Sequence, residues 1–457
     1  MWTRLPFLCS FAAIIQTGAW AQTNDPKSLL LRVRANVTDT VARLPKYMCS
    51  LTIEREQYAA DPIHALSCDG MAAQKTKGEW KPRLYETDRV RLDVAVAAAN
   101  EIYSWVGEDR FDDRDLFDLV REGALQTGGF SGFLAAIFGG DAANFTYNGE
   151  IERDGRMPAE FGFQVRLEQS NYVFGNRHGK HLLTGYEGDF LADPKTGDLL
   201  RLLIRTNGEL AETGACESTT TLDYSRVRLN GSEFLLPREA RLDILNTDGS
   251  ELSNRTVYAN CHEFLGESAL RFDDSTPEAA ASKPTPVKAS TPSELALPAG
   301  LVFTLIFTEA IDTETAAAGD RIRAKLPDAI RDQVSKAVLV PKGAEVTARI
   351  GRIERFSGPP TSVRMLVKLE SVSVGGKLAP LVATKTSADE PLVAREAGRR
   401  GPHELRQRIP LGSFSSLVNS SLGLFEFQNV KPNFVIKSGL ESTWTTAKPE
   451  PQRPSSP

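Results

Sequence analysis

Two histidines, one serine and a run of acids are the residues whose types and spacing could support catalysis or metal binding. In "NRHGKH", His178 and His181 stand three residues apart, a spacing at which one helical face can share a metal ion. Gly179 separates them, the surrounding pattern is that of strands, and no glutamate follows as in a metalloprotease, so the pair is expected in a loop and no metal is assigned. "GGFSGF" presents Ser131 as a nucleophile, but the glycine that a nucleophile elbow needs two positions later is missing. "GEDRFDDRDLFD" gathers Glu108, Asp109, Asp112, Asp113, Asp115 and Asp118 without the alternation of oxygen ligands used by calcium loops, so helix capping and a solvated face explain it. "CHEF" places His262 and Glu263 beside Cys261, and strand alternation turns His262 to the surface. With no phosphate-binding glycine loop or dinucleotide fingerprint, no cofactor is expected and the protein is read as non-enzymatic.

What remains is apolar binding. Phe130, Phe133, Leu134, Ile137 and Phe138 form a short helix pattern with a broad apolar face, flanked by Gly128-Gly129 and Gly139-Gly140. Such a helix is either a movable lid over a lipid or acyl-chain cavity, hinged on its glycines, or a plug that completes the core. Tyr103 and Trp105, two apart on a strand, point to one face and could line the same space.

The elements that would position these residues can be read along 457 residues of mild net charge, −5, which offers nucleic acid no basic face. Residues 1–21 read as a signal peptide: Arg4, an apolar run from Leu5 to Ile15, then Ala19-Trp20-Ala21, with cleavage expected after Ala21. No later stretch reads as a membrane span, so a periplasmic or secreted protein is expected. Four cysteines then remain, Cys49, Cys68, Cys216 and Cys261, and three pairings are open to them. Cys49–Cys68 and Cys216–Cys261 are expected, each across neighbouring antiparallel strands.

Residues 273–294 are rich in Pro, Ala, Ser and Thr and read as a linker, and 447–457 as a disordered tail. The first folded part, 22–272, opens with a helix capped by Asp25 and Pro26, with Leu30, Val33, Val37, Val41 and Leu44 as its apolar stripe, and continues mostly in strands. "DPKTGD" at 193–198 and "LNGSE" at 229–233 carry hairpin chemistry. The second part, 295–446, alternates as strands, with Gly375-Gly376 as a tight turn. Within it "LPAGLVFT", "VPKGAEVT" and "IKSGLEST" place Gly300, Gly343 and Gly439 four residues before Thr304, Thr347 and Thr443, three turns that each lead into a strand of one barrel. "REAGRRGPHELRQR" interrupts the pattern as a loop whose Arg395, Arg399, Arg400, Arg406 and Arg408 could meet an anionic envelope surface or an envelope protein.

The order of a helix, a run of strands and further helices, together with "FLADPKTGDLLRL", resembles the periplasmic half-barrel family typified by the lipoprotein carrier LolA and the N-terminal domain of RseB. The resemblance implies an α+β half-barrel, a curved antiparallel sheet with covering helices, holding a lipid, lipoprotein or other apolar ligand. Leu297-Pro298-Ala299-Gly300, Gly319-Asp320 and Val340-Pro341-Lys342-Gly343-Ala344 are similar to motifs of the TrbI-type conjugation-apparatus domain, which implies a small, mostly-β barrel. That family usually carries a membrane-anchoring N-terminal region where this chain reads as having a removable signal, so only the fold is carried over and no channel role is expected. Two readings result: an apolar-ligand carrier, or a structural and regulatory protein-interaction module whose half-barrel is filled by its own plug.

Overall fold

The computed structural model describes residues 25–60, 67–97, 100–108, 111, 116–120, 124–175, 181–206, 210–263, 297–386 and 422–448. The expected signal peptide, the 273–294 linker, His178, Asp109, Asp112, Asp113, Asp115, the five arginines from Arg395 to Arg408 and nearly all of the tail lie outside the described residues.

The first helix, α1 (Pro26–Arg43), starts as its cap requires: the Asp25 carboxylate accepts from the Ser28 N–H at 3.1 Å, and proline occupies the first turn. Its buried face is Leu29, Val33, Val37 and Thr40, with Leu30 and Val41 half-buried, one position round from the expected stripe. The chain continues through β1 (Tyr47–Ala59), α2 (Cys68–Thr76), β2 (Arg83–Ala97), β3 (Asn100–Trp105), α3 (Leu116–Leu119) and α4 (Gly132–Phe138). Then come β4 (Ala143–Glu150), β5 (Ala159–Val165), the hairpin of β6 (Val173–Gly175) and β7 (His181–Leu183), β8 (Tyr186–Ala192), β9 (Leu199–Thr206), β10 (Ala215–Leu229), β11 (Ser232–Asn246) and β12 (Glu251–Glu263). These strands build an antiparallel sheet in the order β4-β5-β8-β9-β10-β11-β12-β1-β2-β3. The β10–β11 hairpin turns at Asn230 and Gly231, both with positive φ, as its sequence requires.

The C-terminal half contains β13 (Val302–Phe307), β14 (Ile311–Asp312), β15 (Arg321–Lys325), β16 (Ile330–Arg331), β17 (Val338–Val340), β18 (Glu345–Phe356), β19 (Ser362–Val374), β20 (Lys377–Pro380), β21 (Ala383–Lys385), β22 (Leu422–Gln428), β23 (Val435–Ile436) and β24 (Glu441–Thr446). Gly300, Gly343 and Gly439 take φ of 92°, 81° and 90°, and each turn leads into a strand: β13, β18 and β24. Thr304 and Thr443 face each other where β13 and β24 pair. The ladder runs β21-β24-β13-β15-β18-β19-β22. The expected closed barrel is not formed: among the described residues no ladder joins β21 to β22. The fully buried Trp444 ring of β24 lies over Gly423 of β22, where an added Cβ would come within 2.3 Å of the ring and 2.9 Å of the Lys385 Cβ on β21, so β22 packs against β24 and β21 through side chains.

The two halves are joined by backbone. β2 pairs with β18, Glu86 opposite Phe356, Thr87 opposite Arg355 and Asp88 opposite Glu354. The Ala318 N–H donates to the Arg89 carbonyl and the Arg91 N–H to the Ala318 carbonyl, both at 2.8 Å. Gly319 sits so close that a Cβ there would lie 2.3 Å from the Arg91 carbonyl oxygen.

The disulfides are Cys49–Cys261 and Cys68–Cys216, which overturns both expected pairings. Cys216 is on β10 and Cys261 on β12, and β11 lies between those strands. Cys49 meets Cys261 because β1, early in the chain, pairs with β12, the last strand of the N-terminal sheet. The register shifts there between Met48 opposite His262 and Ser50 opposite Ala259.

Candidate functional site

Two places collect the side chains that could do work: the face of the N-terminal sheet under α4, and the seam between the halves. The first holds the residues singled out from sequence. Phe130, Phe133, Leu134, Ile137, Phe138 and Tyr103 are all buried, and Trp105 is half-buried at the edge of the same core. They do not surround one space. Phe133, Leu134, Ile137 and Phe138 pack with α1 and the inner residues of β5, β8 and β9. Phe138 meets Phe190 edge-on at 5.2 Å and stacks on Phe145 at 6.0 Å. Phe130 turns the other way, edge-on to Tyr258 at 4.9 Å and Tyr47 at 5.8 Å. Trp105 reaches Gly319 of the C-terminal half.

The glycines beside α4 are tied rather than free. At the N-terminal side, the Glu101 carboxylate accepts from the N–H of Gly128 at 2.9 Å and of Phe130 at 3.2 Å, and from the Tyr103 hydroxyl at 2.6 Å. At the other end, the Arg34 guanidinium donates to the carbonyls of Phe138 at 3.3 Å and Gly140 at 2.6 Å, a cation at the negative end of the helix. Burial pushes the Tyr47, Tyr224 and Tyr258 phenols above their ordinary range, and the nearby Glu101 charge adds to it, so all three stay neutral. Between Leu51, Tyr103, Gln126, Asn254 and Tyr258 lies a cavity of about 20 Å³. That suits a water, which needs roughly 10–15 Å³, and not an apolar ligand, whose sites run to roughly 300–1,000 Å³. Replacing Glu101 with alanine leaves two N–H groups without their acceptor. It is expected to cost about 1–3 kcal/mol and to speed amide exchange at residues 128–130. Urea unfolding and exchange rates equal to wild type would show that Glu101 does not hold this turn.

The seam was not singled out in advance. Arg349, its side chain 3 % exposed, donates to Glu370 at 2.5 Å, to Glu108 at 2.5 Å and to the Gly319 carbonyl at 2.6 Å. Glu108 is therefore a seam residue rather than part of a solvated acidic face. Arg91 forks onto Asp320 at 2.6 and 2.7 Å. Arg89 bonds Glu54 at 2.7 Å and reaches the Glu314 carbonyl. Deeper, Arg55 pairs with Asp88, and Arg352 with Glu354 beside Glu86. Burial pushes the Glu86 carboxyl up, the Glu354 charge adds to it and Arg352 opposes it; burial also raises Glu354. An open cleft of about 230 Å³ lies on the outer face, bordered by Glu54, Glu56, Arg89, Glu314 and Arg355. The visible signal for the seam was the strand "YETDRVRLDVAV", in which Glu86 and Asp88 extend the same face as Val90, Leu92 and Val94.

The remaining sequence candidates stand apart. His181 is exposed on β7, and His262 is exposed, its Nδ1 2.7 Å from the Asn260 carbonyl oxygen. No helix among the described residues is long and apolar enough to cross a membrane.

No family model matches the chain, and no curated protein matches it. Among solved structures it is similar to a DUF1329 family protein from Desulfovibrio piger, at 11 % identity over 53 % of this chain and 95 % of that one, TM-score 0.26. It is similar to a putative outer membrane lipoprotein-sorting protein domain from Vibrio parahaemolyticus, at 9 % identity over 53 % of this chain and 94 % of that one, TM-score 0.26. It is also similar to ComB10 of the Com type IV secretion system of Helicobacter pylori, at 13 % identity over 33 % of this chain and 86 % of that one, TM-score 0.18. At these scores the likenesses are distant and carry nothing about function.

Proposed function

We propose that the protein is an exported, non-enzymatic envelope protein that works as an interaction module, its N-terminal sheet filled by its own plug. The observation that carries this reading is the plug itself. Phe133, Leu134, Ile137 and Phe138 occupy the space an apolar ligand would need, and Glu101 and Arg34 hold the plug at both ends. Two disulfides suit a chain that folds in an oxidising compartment such as the periplasm. Two features suit protein contacts: the seam unites both halves into one surface, and β4 pairs only with β5 among the described residues, leaving an outer edge on which a strand can add. The carrier reading requires α4 to leave its place and expose four buried apolar side chains, each worth about 1.5–3 kcal/mol.

Native mass spectrometry of the mature protein from envelope extract separates the two. The expected result is the mass of the polypeptide alone, unchanged after incubation with phospholipid or a lipidated peptide. A retained apolar molecule that exchanges with added lipid would overturn the filled-plug reading and establish the carrier.

A further inference from the structure

The seam holds more carboxylate than guanidinium. On its inner face, among the described residues, five ionisable side chains are 11 % exposed or less: Arg55 and Arg352 against Glu86, Asp88 and Glu354. Two cations facing three carboxylates leave one surplus negative charge in a site withdrawn from water, where uncompensated charge is strongly disfavoured. Arg55 is committed to Asp88, which its Nε reaches at 2.6 Å. Arg352 lies on Glu354 and 3.9 Å from Glu86. That ion pair aside, none of the four carboxyl oxygens of Glu86 and Glu354 receives a hydrogen bond from an N–H or O–H donor among the described residues. One proton removes both difficulties: it cancels the surplus charge, and it turns one carboxyl into a donor for the other.

We propose that Glu86 and Glu354 share one proton that latches the two halves together, and that loss of this proton as pH rises loosens the β2–β18 ladder. The two carboxyls belong to opposite halves, so their repulsion when both are ionised acts across the seam. Among the described residues the charged groups facing the pair are Arg55 from β1, Asp88 from β2, Arg352 from β18 and Arg364 from β19. Arg364 is 37 % exposed and paired with Glu426 of β22 at 3.3 Å. On the outer face Glu54 pairs with Arg89 and Glu314 with Arg355. Burial carries Glu86 from its ordinary 4.5 up to about 8. The closed seam therefore binds the proton more tightly than the open chain. The stability this contributes is complete below the unfolded value and is lost as pH rises toward about 8. Within that window the opening constant grows by up to about tenfold per pH unit.

Hydrogen exchange of the full mature chain at pH 6, 7 and 8, corrected for the intrinsic rate, reads the opening directly. In wild type, amides at 84–90 and 352–357 are expected to lose protection by up to about tenfold per unit, while those of the β8–β9 ladder do not. Glu86→Gln and Glu354→Gln, each with a fixed neutral amide in place of the shared proton, are expected to flatten the seam profile. A flat wild-type profile, or a steep one that survives in both variants, would overturn the latch. If neither variant folds, the wild-type contrast between the seam and β8–β9 decides alone: a selective rise supports the latch and its absence sinks it.

Discussion

Arg55→Ala is expected to destabilise the protein by about 3–5 kcal/mol, the range for removing one partner of a buried ion pair. Arg55 and Asp88 are 6 % and 5 % exposed, and the guanidinium addresses both carboxylate oxygens. Its removal leaves Asp88 charged in the interior, opposite Glu354 on the partner strand and two residues from Glu86. An exposed pair of the same residues is worth only about 0–1 kcal/mol, so the size of the loss tests the burial itself. Urea unfolding at pH 7 would measure it. A loss below about 1 kcal/mol would show that water reaches the pair and that the seam is not closed there. The double replacement Arg55→Met with Asp88→Leu removes both charges, and it is expected to recover most of the loss because the desolvation cost goes with them. The same double replacement leaves Glu86 and Glu354 facing Arg352, so the seam remains sensitive to pH.

This seam also shows where reading the chain alone stops. α1 was legible because its determinants are local: Asp25, Pro26 and a stripe at helical spacing lie within twenty residues, and the error was one position, Leu29 for Leu30. Turns were legible for the same reason, since Asn230-Gly231 and Gly375-Gly376 need positive φ wherever they stand. The cysteine pairing failed because it depends on strand order, and strand order is not local. β1 pairs with β12 across 212 residues between Cys49 and Cys261, while β10 and β12, close in sequence, are parted by β11. The barrel failed between β21 and β22, which no ladder joins among the described residues, and the packing of the Trp444 ring on Gly423 beside them is a contact that strand alternation does not encode. The seam charges carry no local signal of their role, because several of their partners come from the other half. Arg349 meets Glu108 across 241 positions, and Asp88 faces Glu354 from the opposite half. The helix over the sheet was legible as an element. The plug reading rests on Glu101 and Arg34, two polar residues whose reach is invisible in a pattern of apolar spacing.

Phe138→Ala tests the plug reading, with an expected cost of about 3–5 kcal/mol. The side chain is 1 % exposed and lies among Phe145, Phe190 and the residues of α1 and α4. Arg34 fixes the backbone at this end of α4, so the helix has little freedom to collapse into the space left behind, which places the cost toward the upper part of that range. The void would be apolar on its phenylalanine side, and apolar cavities of this kind stay dry and admit small aromatic molecules. Benzene or indole is therefore expected to raise the melting temperature of Phe138→Ala while leaving wild type unmoved, because only the variant has room to bind it. The two measurements discriminate plug from lid together. A lid that already spends time away from the sheet would lose little on truncation, under about 1 kcal/mol, since its side chain is not fully buried in the average state. Its wild-type form would also respond to the probe. A large loss with a response confined to the variant means that α4 is part of the core, and that whatever this protein binds is bound on its outside.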